Sequence, residues 1–323
     1  MILYTMPKER CGRSGLVLPA MSLGFWHSFG RNTAYAVQRD IVLTAFDSGI
    51  YHFDNANCYG PPNGEAEIVF GRIFREELRS HRDEILIATK AGAPLGNGVY
   101  QSGGSRKHLI SQLDQSLRRL GLDYVDIFYH HRPDLETDLQ ETASALSSIV
   151  HSGKALYIGV SNYSVEELQA LLPMLDNAGT PCVICQSPYS MLKRSYVSDG
   201  LMDLLQARQI GSIAYSVLAQ GILTGKYNNG IPSDSRLATD GRYIHAHDIT
   251  QSIVDKTTAL EKLAQSRGQT LSQMALVWAQ KTAGLTSVLI GASKPEQVIE
   301  NINALQNREF STEELLKIDE ILR

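Results

Sequence analysis

The sequence alternates short apolar runs with segments of helical periodicity. Between the runs, apolar residues recur every three or four positions, as in Leu109, Leu113 and Leu117. Strands that are each followed by a helix predict a (β/α)8 TIM barrel, which we expect to carry an N-terminal β-hairpin and extra helices. The eight runs, rich in β-branched residues, are SLG (22–24), YHFD (51–54), ILIAT (85–89), VDIFYHH (125–131), LYIGVS (156–161), VICQ (183–186), SIAYS (212–216) and SVLIG (287–291).

The pattern indicates one barrel domain over residues 1–323. A doubly wound open sheet is the rival fold, but its dinucleotide fingerprint G-x-G-x-x-G is absent from the start of the chain. No linker or second apolar core interrupts the alternation. The long gap between the seventh and eighth runs holds a polar loop at 228–248 and an extra helix around Leu271–Gln280. Long loops in compact domains usually serve a ligand site.

The composition disfavours several classes of function. A formal net charge of -4 leaves no basic excess for binding nucleic acid. No apolar run approaches the roughly 20 residues of a membrane-spanning helix, and the N-terminus lacks the basic start and apolar stretch of a signal peptide. We therefore expect a cytoplasmic protein with no nucleic-acid or membrane partner. Four cysteines are too few for a disulfide scaffold, so reduced thiols are expected.

Four ionisable side chains lie at or just after the ends of neighbouring strands. Asp54 ends the second strand and Tyr59 follows it, while Lys90 ends the third and His131 the fourth. Because the C-terminal ends of barrel strands converge on one mouth, we expect these groups in one cavity. A phenol titrates near pH ~10, and an ammonium within about 4 to 6 Å would lower that pKa. The set predicts Tyr59 as a general acid, with Asp54 holding Lys90 charged and His131 orienting the reacting oxygen.

Structural alternatives exist for each of these residues, as a loop cap, a rim aromatic or a solvated charge, and only their combination favours catalysis. Neighbouring strand residues face opposite ways, so His130 and His131 cannot form a paired metal site. The same alternation sends Cys182 and Cys185 in opposite directions, which favours core filling, and no metal site is predicted. QGILTGKY (220–227) is one residue short of a P-loop.

Several motifs, in order along nearly the whole chain, resemble those of the aldo-keto reductase family. The family's catalytic tetrad of Asp, Tyr, Lys and His falls on Asp54, Tyr59, Lys90 and His131. The resemblance implies reversible reduction of small aldehydes or ketones by NADPH, with Tyr59 protonating the carbonyl oxygen. The motifs are HFDNANCYG (52–60), TK (89–90), DIFYHHRPD (126–134), GVSNYS (159–164), QSPYS (186–190), AYSVLAQGILTGKY (214–227) and GASKPEQVIEN (291–301).

The resemblance also implies that NADPH lies extended across the barrel mouth. Ser161, Asn162 and Gln186 would hold the nicotinamide amide, and Tyr215 would stack on the ring. Lys294, next to Ser293, suits the adenosine 2′-phosphate and favours NADP over NAD. The other implied cofactor contacts are Gly24, Trp26, Ser216, Leu218, Gln220, Gly221, Leu223, Gly225, Lys226, Gly291, Gln297, Glu300 and Asn301.

The substrate pocket is expected to be open, because the sequence stops at KIDEILR where many family members have a longer tail. Its walls are expected in Trp26, His27 and the 94–104 loop, with Tyr59 and His131 contacting the substrate.

The stretches GFWHSFG, YGPPNG, SGGSRKHL and LAQGILTGKYNNGIPSDSR resemble a bacterial subgroup of the family. That subgroup points to L-glyceraldehyde 3-phosphate, with methylglyoxal as another candidate substrate. Arg106 and Arg132 are candidate phosphate contacts, although a surface charge is the better interpretation of Arg106.

Two alternative functions stay open at the level of sequence. Lys90 at a barrel strand end is also suited to a Schiff-base lyase. The chain is also compatible with a regulatory subunit that binds nicotinamide but turns over negligibly. Self-association into a homo-oligomer is a separate expectation, compatible with any of these functions. Two departures from the family pattern are Val217, where proline is usual, and His130, where smaller or amide residues are commoner.

Overall fold

A computed structural model describes residues 6–323 of the protein, apart from 234, 241 and 242. An antiparallel hairpin comes first, formed by β1 (Lys8–Arg10) and β2 (Val17–Pro19). Eight parallel strands then close into a barrel in the order β10-β3-β4-β5-β6-β7-β8-β9, which confirms the predicted TIM barrel and hairpin. The barrel strands are β3 (Met21–Gly24), β4 (His52–Asp54), β5 (Leu86–Ala91), β6 (Val125–His130), β7 (Ala155–Ser161), β8 (Cys182–Pro188), β9 (Gly211–Tyr215) and β10 (Ser287–Ile290).

Helices surround the barrel, and several begin with a side-chain cap that the local sequence supplies. Ser105 accepts a hydrogen bond from the backbone of His108, and Gly121 ends the same helix in the left-handed conformation with φ 69°. The helices are α1 (Tyr35–Asp47), α2 (Glu65–Ile73), α3 (Arg106–Leu120), α4 (Leu139–His151), α5 (Val165–Asn177), α6 (Ser195–Ser198), α7 (Leu201–Ala207), α8 (Arg236–Thr239), α9 (Gln251–Ser266), α10 (Leu271–Gln280), α11 (Pro295–Asn303) and α12 (Thr312–Leu322).

The barrel strands bury side chains on both faces. In β6, Ile127 and Tyr129 belong to an inner cluster inside the barrel, while Phe128 between them belongs to an outer cluster beneath the helices. Successive strand residues point to opposite faces, so nearly continuous apolar runs are what a strand covered on both sides requires.

The hairpin closes the end of the barrel where the strands begin, which we call the floor. Leu16, Leu18 and Cys11 of the hairpin belong to the inner cluster, and the last two are fully buried. The Cys11 thiol donates to the carbonyl of Val183 at 3.2 Å. A Cβ atom at Gly211 would lie 2.0 Å from Cys11 Sγ, so this close contact requires glycine. The opposite end, which we call the mouth, carries the predicted site.

A β-bulge interrupts the alternation of β8, where Ile158 pairs with Cys182 but Gly159 pairs with Ile184. Both Cys182 and Cys185 consequently belong to the outer cluster, so the expectation that they face opposite ways is wrong. Their interpretation as core filling agrees with the structure, because both thiols are buried and burial raises the pKa of Cys185 to about 12.

The gap between β9 and β10 contains α10 where an extra helix was predicted, and α9 precedes it. Within the described part of the chain, no helix is both long and apolar enough to cross a membrane. The described residues also contain no cluster of three His, Cys, Asp or Glu side chains able to hold a metal ion.

Candidate active site

The mouth of the barrel brings the four predicted catalytic residues together. Asp54 is the last residue of β4, and Lys90 lies on the adjacent strand β5, where both side chains are fully buried. Lys90 Nζ donates to Asp54 Oδ2 at 2.5 Å and to the carbonyl of Asn55 at 2.8 Å. The same ammonium lies 3.4 Å from Tyr59 Oη. The buried cation is therefore paired with a carboxylate and faces the phenol.

His131 completes this group from the end of β6. Its backbone N–H donates to the carbonyl of Ala91, which continues the pairing between β5 and β6. The rings of Tyr59 and His131 are 5.9 Å apart and nearly perpendicular. A carbonyl group in the mouth could thus contact both side chains.

The electrostatics of the phenol differ from the expectation. Burial raises the pKa of Tyr59 well above its usual value, and the Asp54 carboxylate raises it further. The expectation that the ammonium holds this pKa below its usual value is wrong here, because burial outweighs one cation that Asp54 already neutralises. Tyr59 is consequently a protonated acid at neutral pH.

Burial also determines the charge of His131. The pKa of His131 lies well below its ordinary value because the ring is desolvated, and the charges of Lys90 and Arg132 lower it further. The imidazole is therefore neutral at physiological pH, with one ring nitrogen as donor and the other as acceptor.

His130 points away from the mouth. It is fully buried, and its Nδ1 lies 2.6 Å from the hydroxyl of Tyr163. Burial lowers the pKa of His130 to about 4. The alternation argument, which allowed at most one of the two histidines into the cavity, agrees with this arrangement.

A second polar layer lies inside the barrel near the tetrad. His52 Nδ1 is 2.8 Å from Ser22 Oγ, which in turn is 2.7 Å from Ser287 Oγ. Burial lowers the pKa of His52 to about 4. Sequence analysis missed this layer, although His52 and Asp54 are two residues apart on one strand and therefore share a face.

The residues assigned to the nicotinamide amide lie directly beside the tetrad. Gln186 Nε2 donates to Asp54 Oδ1 at 3.2 Å, and Ser161 pairs with Gln186 in the barrel register. Asn162, at φ 62°, donates to the carbonyl of His131 at 2.9 Å and accepts from the hydroxyl of Tyr215 at 2.6 Å. A non-glycine residue at positive φ is uncommon and often marks a functional site.

The segment after β9 contains an unusual run of left-handed residues. Ser216, Ala219 and Gln220 have φ values of 54°, 47° and 58°, and Gly221 and Gly225 also have positive φ. Successive backbone N–H groups in such turns can converge on an anion. Here the N–H groups of Ala219, Gly221 and Gly225 donate to carbonyls within the segment and hold the turns in place, while the ammonium of Lys226, beside Gly221, is a group that fits a pyrophosphate.

The apolar members of the same segment contact the core. Leu223 and Val217 are buried, so their side chains pack inward and only their backbone can face a ligand. Leu218 also packs against the outer cluster. At Lys226 the side chain lies over Gly221, where a Cβ atom would be 2.8 Å from its Nζ.

The residues assigned to the adenosine end surround the start of α11. Lys294 is exposed and immediately precedes this helix, whose N-terminus favours anions. Ser293 donates from its backbone and its hydroxyl to Gln297 Oε1.

Three further residues implied as cofactor contacts lie just before α11 or within it. Gly291 has open space where a Cβ atom would stand, Glu300 accepts from Thr270, and Asn301 is buried. At the first barrel strand, Gly24 pairs with Asp54, and a Cβ atom there would lie 3.1 Å from Leu289.

Two residues of the expected pocket wall contact a further loop. Trp26 and His27 lie against the loop after β9, with His27 Nδ1 3.2 Å from Asp240 and the ring of Trp26 4.6 Å from that of Tyr243. Sequence analysis identified this loop as a ligand-site segment without predicting which residues contact the wall. The 94–104 loop is connected to the loop after β4 by a hydrogen bond that Asn63 donates to the carbonyl of Leu95.

The two candidate phosphate contacts differ. Arg106 donates to Ser144 and Ser148 between α3 and α4, so it is a helix-packing residue and not a mouth residue. Arg132 is exposed and makes no hydrogen bond or ion pair with any residue the structure describes. Its positive charge contributes a lowering of the pKa at both His131 and Tyr215.

Comparisons with known proteins agree with this geometry. Residues 20–323 match the sequence profile of the Aldo/keto reductase family. The L-glyceraldehyde 3-phosphate reductase of Escherichia coli (strain K12) is 52% identical over 318 residues, covering 98% of this chain and 92% of the relative. A protein of Schizosaccharomyces pombe named as a voltage-gated potassium channel subunit beta is 38% identical over 330 residues, covering 98% of this chain and 93% of the relative. A similarly named protein of Arabidopsis thaliana is 34% identical over 324 residues, covering 98% and 97% respectively.

Proposed function

The chain belongs to the aldo/keto reductase family of oxidoreductases, and from that premise we propose that it reduces small aldehydes or ketones to alcohols with NADPH. The observation that supports this most directly is the Lys90 ammonium, which is paired with Asp54 and lies 3.4 Å from Tyr59 Oη. This arrangement gives the site an acid and a cation that stabilises the anion left by that acid.

Proton transfer is the step that these residues perform. Tyr59 is held neutral by burial, so it carries the proton that a carbonyl oxygen needs when its carbon receives a hydride. As the phenolate forms, the hydrogen bond from the Lys90 ammonium to Tyr59 Oη becomes charge-assisted and therefore stronger than it is with the neutral phenol. An interaction that is stronger in the transition state than in the ground state accelerates the reaction.

His131 positions the carbonyl. Its ring is neutral and lies beside Tyr59, so one N–H can donate to the carbonyl oxygen and stabilise the charge that develops there. Burial lowers the pKa of Lys90, and the buried Asp54 opposes this by favouring the ammonium, while Gln186 donates to the other oxygen of that carboxylate.

NADPH is the proposed cofactor, and it would supply the hydride. Ser161, Asn162 and Gln186 would hold the nicotinamide amide, and the left-handed turns from Ser216 to Gly225 would hold the pyrophosphate. The exposed cation of Lys294, at the N-terminus of α11, supports a preference for the extra phosphate of NADP. Weaker binding of NADH than of NADPH, with the difference lost in Lys294→Met, is the expected result by fluorescence titration.

Replacing Tyr59 with Phe tests the acid. NADPH oxidation with a reactive aldehyde should fall about 100- to 10,000-fold, the usual contribution of a general acid. Tyr51→Phe is the matched control, because its hydroxyl donates to the carbonyl of Val17, away from the mouth. Wild-type turnover in Tyr59→Phe would remove this residue as the proton donor.

The substrate class follows from the relatives and from Arg132. Two relatives at 52% identity are named as L-glyceraldehyde 3-phosphate reductase, and we propose a phosphorylated small aldehyde of this kind, with methylglyoxal as the unphosphorylated candidate. The guanidinium of Arg132 can bind a phosphate next to the tetrad. Arg132→Gln should raise KM for the phosphorylated substrate about tenfold or more and leave KM for methylglyoxal unchanged. Arg106→Gln is the control, and equal effects on both substrates would contradict a phosphate contact.

Two other functions make different predictions. A regulatory subunit, suggested by the names of the relatives at 34–38% identity, would bind NADPH tightly yet reduce no member of an aldehyde panel. A Schiff-base lyase would form a borohydride-trapped adduct on Lys90 without nicotinamide. The complete tetrad, and the ion pair that keeps Lys90 an ammonium, favour the reductase.

The proposal includes a cytoplasmic location, where NADPH is available, and cell fractionation tests it. Self-association into a homo-oligomer is tested by light scattering of the purified chain.

A further inference from the structure

We propose that Cys58 is a positioning residue, whose thiol donates a hydrogen bond to His131 Nδ1 and thereby leaves the N–H of the ring on Nε2, toward the reacting carbonyl. This inference rests on the proposed reductase function, in which His131 must act as a donor. It concerns how the ring is held in the correct tautomer.

The geometry of the pair carries the inference. Cys58 Sγ lies 3.8 Å from His131 Nδ1, within hydrogen-bonding distance for sulfur. The two residues are 73 positions apart in the sequence, and the fold brings them together because Cys58 precedes Tyr59 in the loop after β4. Among the described residues, Nδ1 has no other hydrogen-bond partner, and Nε2 has none at all, so Nε2 is the nitrogen left for a ligand.

The direction of this hydrogen bond follows from the chemistry of the two groups. Burial raises the pKa of Cys58 to about 11, so the thiol carries its proton at neutral pH. A thiol sulfur is a weak acceptor, whereas an unprotonated imidazole nitrogen is a good one. The arrangement with S–H as donor and Nδ1 as acceptor is therefore favoured over the reverse.

The consequence for His131 is a choice between two neutral forms. A neutral imidazole has one N–H, and the hydrogen bond made by one nitrogen determines the state of the other. If Nδ1 accepts from Cys58, Nε2 carries the hydrogen and can donate to the carbonyl oxygen. If the hydrogen were on Nδ1, Nε2 would present a lone pair to that oxygen and repel it.

The backbone around the pair is already fixed, so the thiol acts on the ring alone. The His131 carbonyl accepts from Asn162, and the His131 N–H donates to Ala91. Removing the thiol should therefore change the tautomer without displacing the strand end.

The test combines Cys58→Ala, which removes the donor, with Cys58→Ser, which retains a hydroxyl donor. We expect Cys58→Ala to lower kcat about two- to fivefold, as the loss of one weak hydrogen bond predicts, with KM for NADPH unchanged. Cys58→Ser should recover most of the wild-type kcat. Cys182→Ala is the control, since this buried thiol belongs to the outer cluster away from the mouth and its loss should not change kcat.

Nitrogen NMR of His131 gives a readout that does not depend on turnover. In the wild type, the Nε2 resonance should be that of a protonated nitrogen and the Nδ1 resonance that of an acceptor, while Cys58→Ala should show a mixture. A wild-type Nδ1–H form, or an unchanged His131 spectrum in Cys58→Ala, would overturn the proposal. The wild-type spectrum decides the tautomer even if a variant fails to fold, and failure of the reductase function would instead appear as absent NADPH oxidation in the wild type.

Discussion

The mouth and the floor of the barrel are built from opposite ends of the same strands, yet they are stabilised in different ways. At the mouth, a buried ammonium and carboxylate, Lys90 and Asp54, hydrogen bond to each other. At the floor, Leu16, Leu18 and Cys11 of the hairpin fill the barrel with apolar atoms. The strand β5 shows both modes, since it begins with Leu86 in contact with the inner cluster and carries Lys90 near its end.

This difference separates the residues that stabilise the fold from the residues that act on a ligand. Apolar burial at the floor contributes about 25 cal/mol for each Å² removed from water, whatever the orientation of the groups. A buried ion pair contributes little net stability, because its attraction is offset by the desolvation of both charges. The polar groups at the mouth are therefore best explained by what they do to a ligand.

The largest expected effect breaks the ion pair at the mouth. Lys90→Met should lower turnover about 100- to 10,000-fold, and it should lower the free energy of unfolding by about 3–5 kcal/mol because Asp54 is left buried without a counter-charge. Urea unfolding and NADPH oxidation measure the two effects.

The double variant Lys90→Met with Asp54→Leu separates these effects. It should recover most of the stability, because an apolar pair replaces the ion pair, and none of the turnover. A double variant that stays as unstable as the single one would mean that the pair is a structural element of the mouth.

A second prediction concerns the floor. Leu18→Ala should lower the free energy of unfolding by about 2–5 kcal/mol, because the side chain is fully buried and leaves a cavity, while kcat stays unchanged. Leu135→Ala is the control at an exposed position, where 87% of the residue is accessible. A large loss of turnover in Leu18→Ala at a temperature where the protein stays folded would show that the two ends are coupled.

A third prediction, which leaves the protein unchanged at neutral pH, is a pH dependence of stability from the layer next to the tetrad. The pKa of His52 is about 4 in the folded protein, against an ordinary value of 6.5, so the unfolded chain binds the proton first. The contribution of the neutral His52 ring to the free energy of unfolding should therefore be fully present above pH 6.5. It should fall by roughly 1.4 kcal/mol per pH unit as the pH drops from about 6 toward 4.5. Burial also lowers the pKa of His130 to about 4, so the two histidines together should give about twice the slope of His52 alone.

Urea titrations at several pH values measure this slope. His52→Asn should make the dependence shallower than in the wild type, by the share that His52 contributes. An identical slope in both proteins would mean that His52 is hydrated and titrates in the folded state.

Sequence reasoning predicted the architecture well because the determining features are local. Apolar runs covered on both faces identify strands, and each of the eight runs coincides with a barrel strand to within two residues at either end. The convergence of Asp54, Tyr59, Lys90 and His131 followed from one geometric rule about parallel barrels.

What sequence reasoning missed depends on tertiary contacts that leave no local signal. The bulge in β8 has no turn residue to mark it, so Cys182 and Cys185 were predicted to face opposite ways although both pack in the outer cluster. The contact of His27 with Asp240 joins segments that are far apart in the sequence. The pKa of Tyr59 depends on the balance between burial and one neutralised cation, and sequence alone gives no measure of burial.

The extra residue in β8 lies at the entry to the strand, between Cys182 and Ile184, so Cys182 and the rest of the strand differ in phase. Downstream of it, Gln186 points inward to Asp54, whereas upstream the inward positions are shifted by one residue. We therefore expect a change at Cys182 to alter the packing beneath the helices without rotating the amide that contacts the carboxylate. Variation at the entry to this strand should in this way leave the polar contacts at the mouth in place.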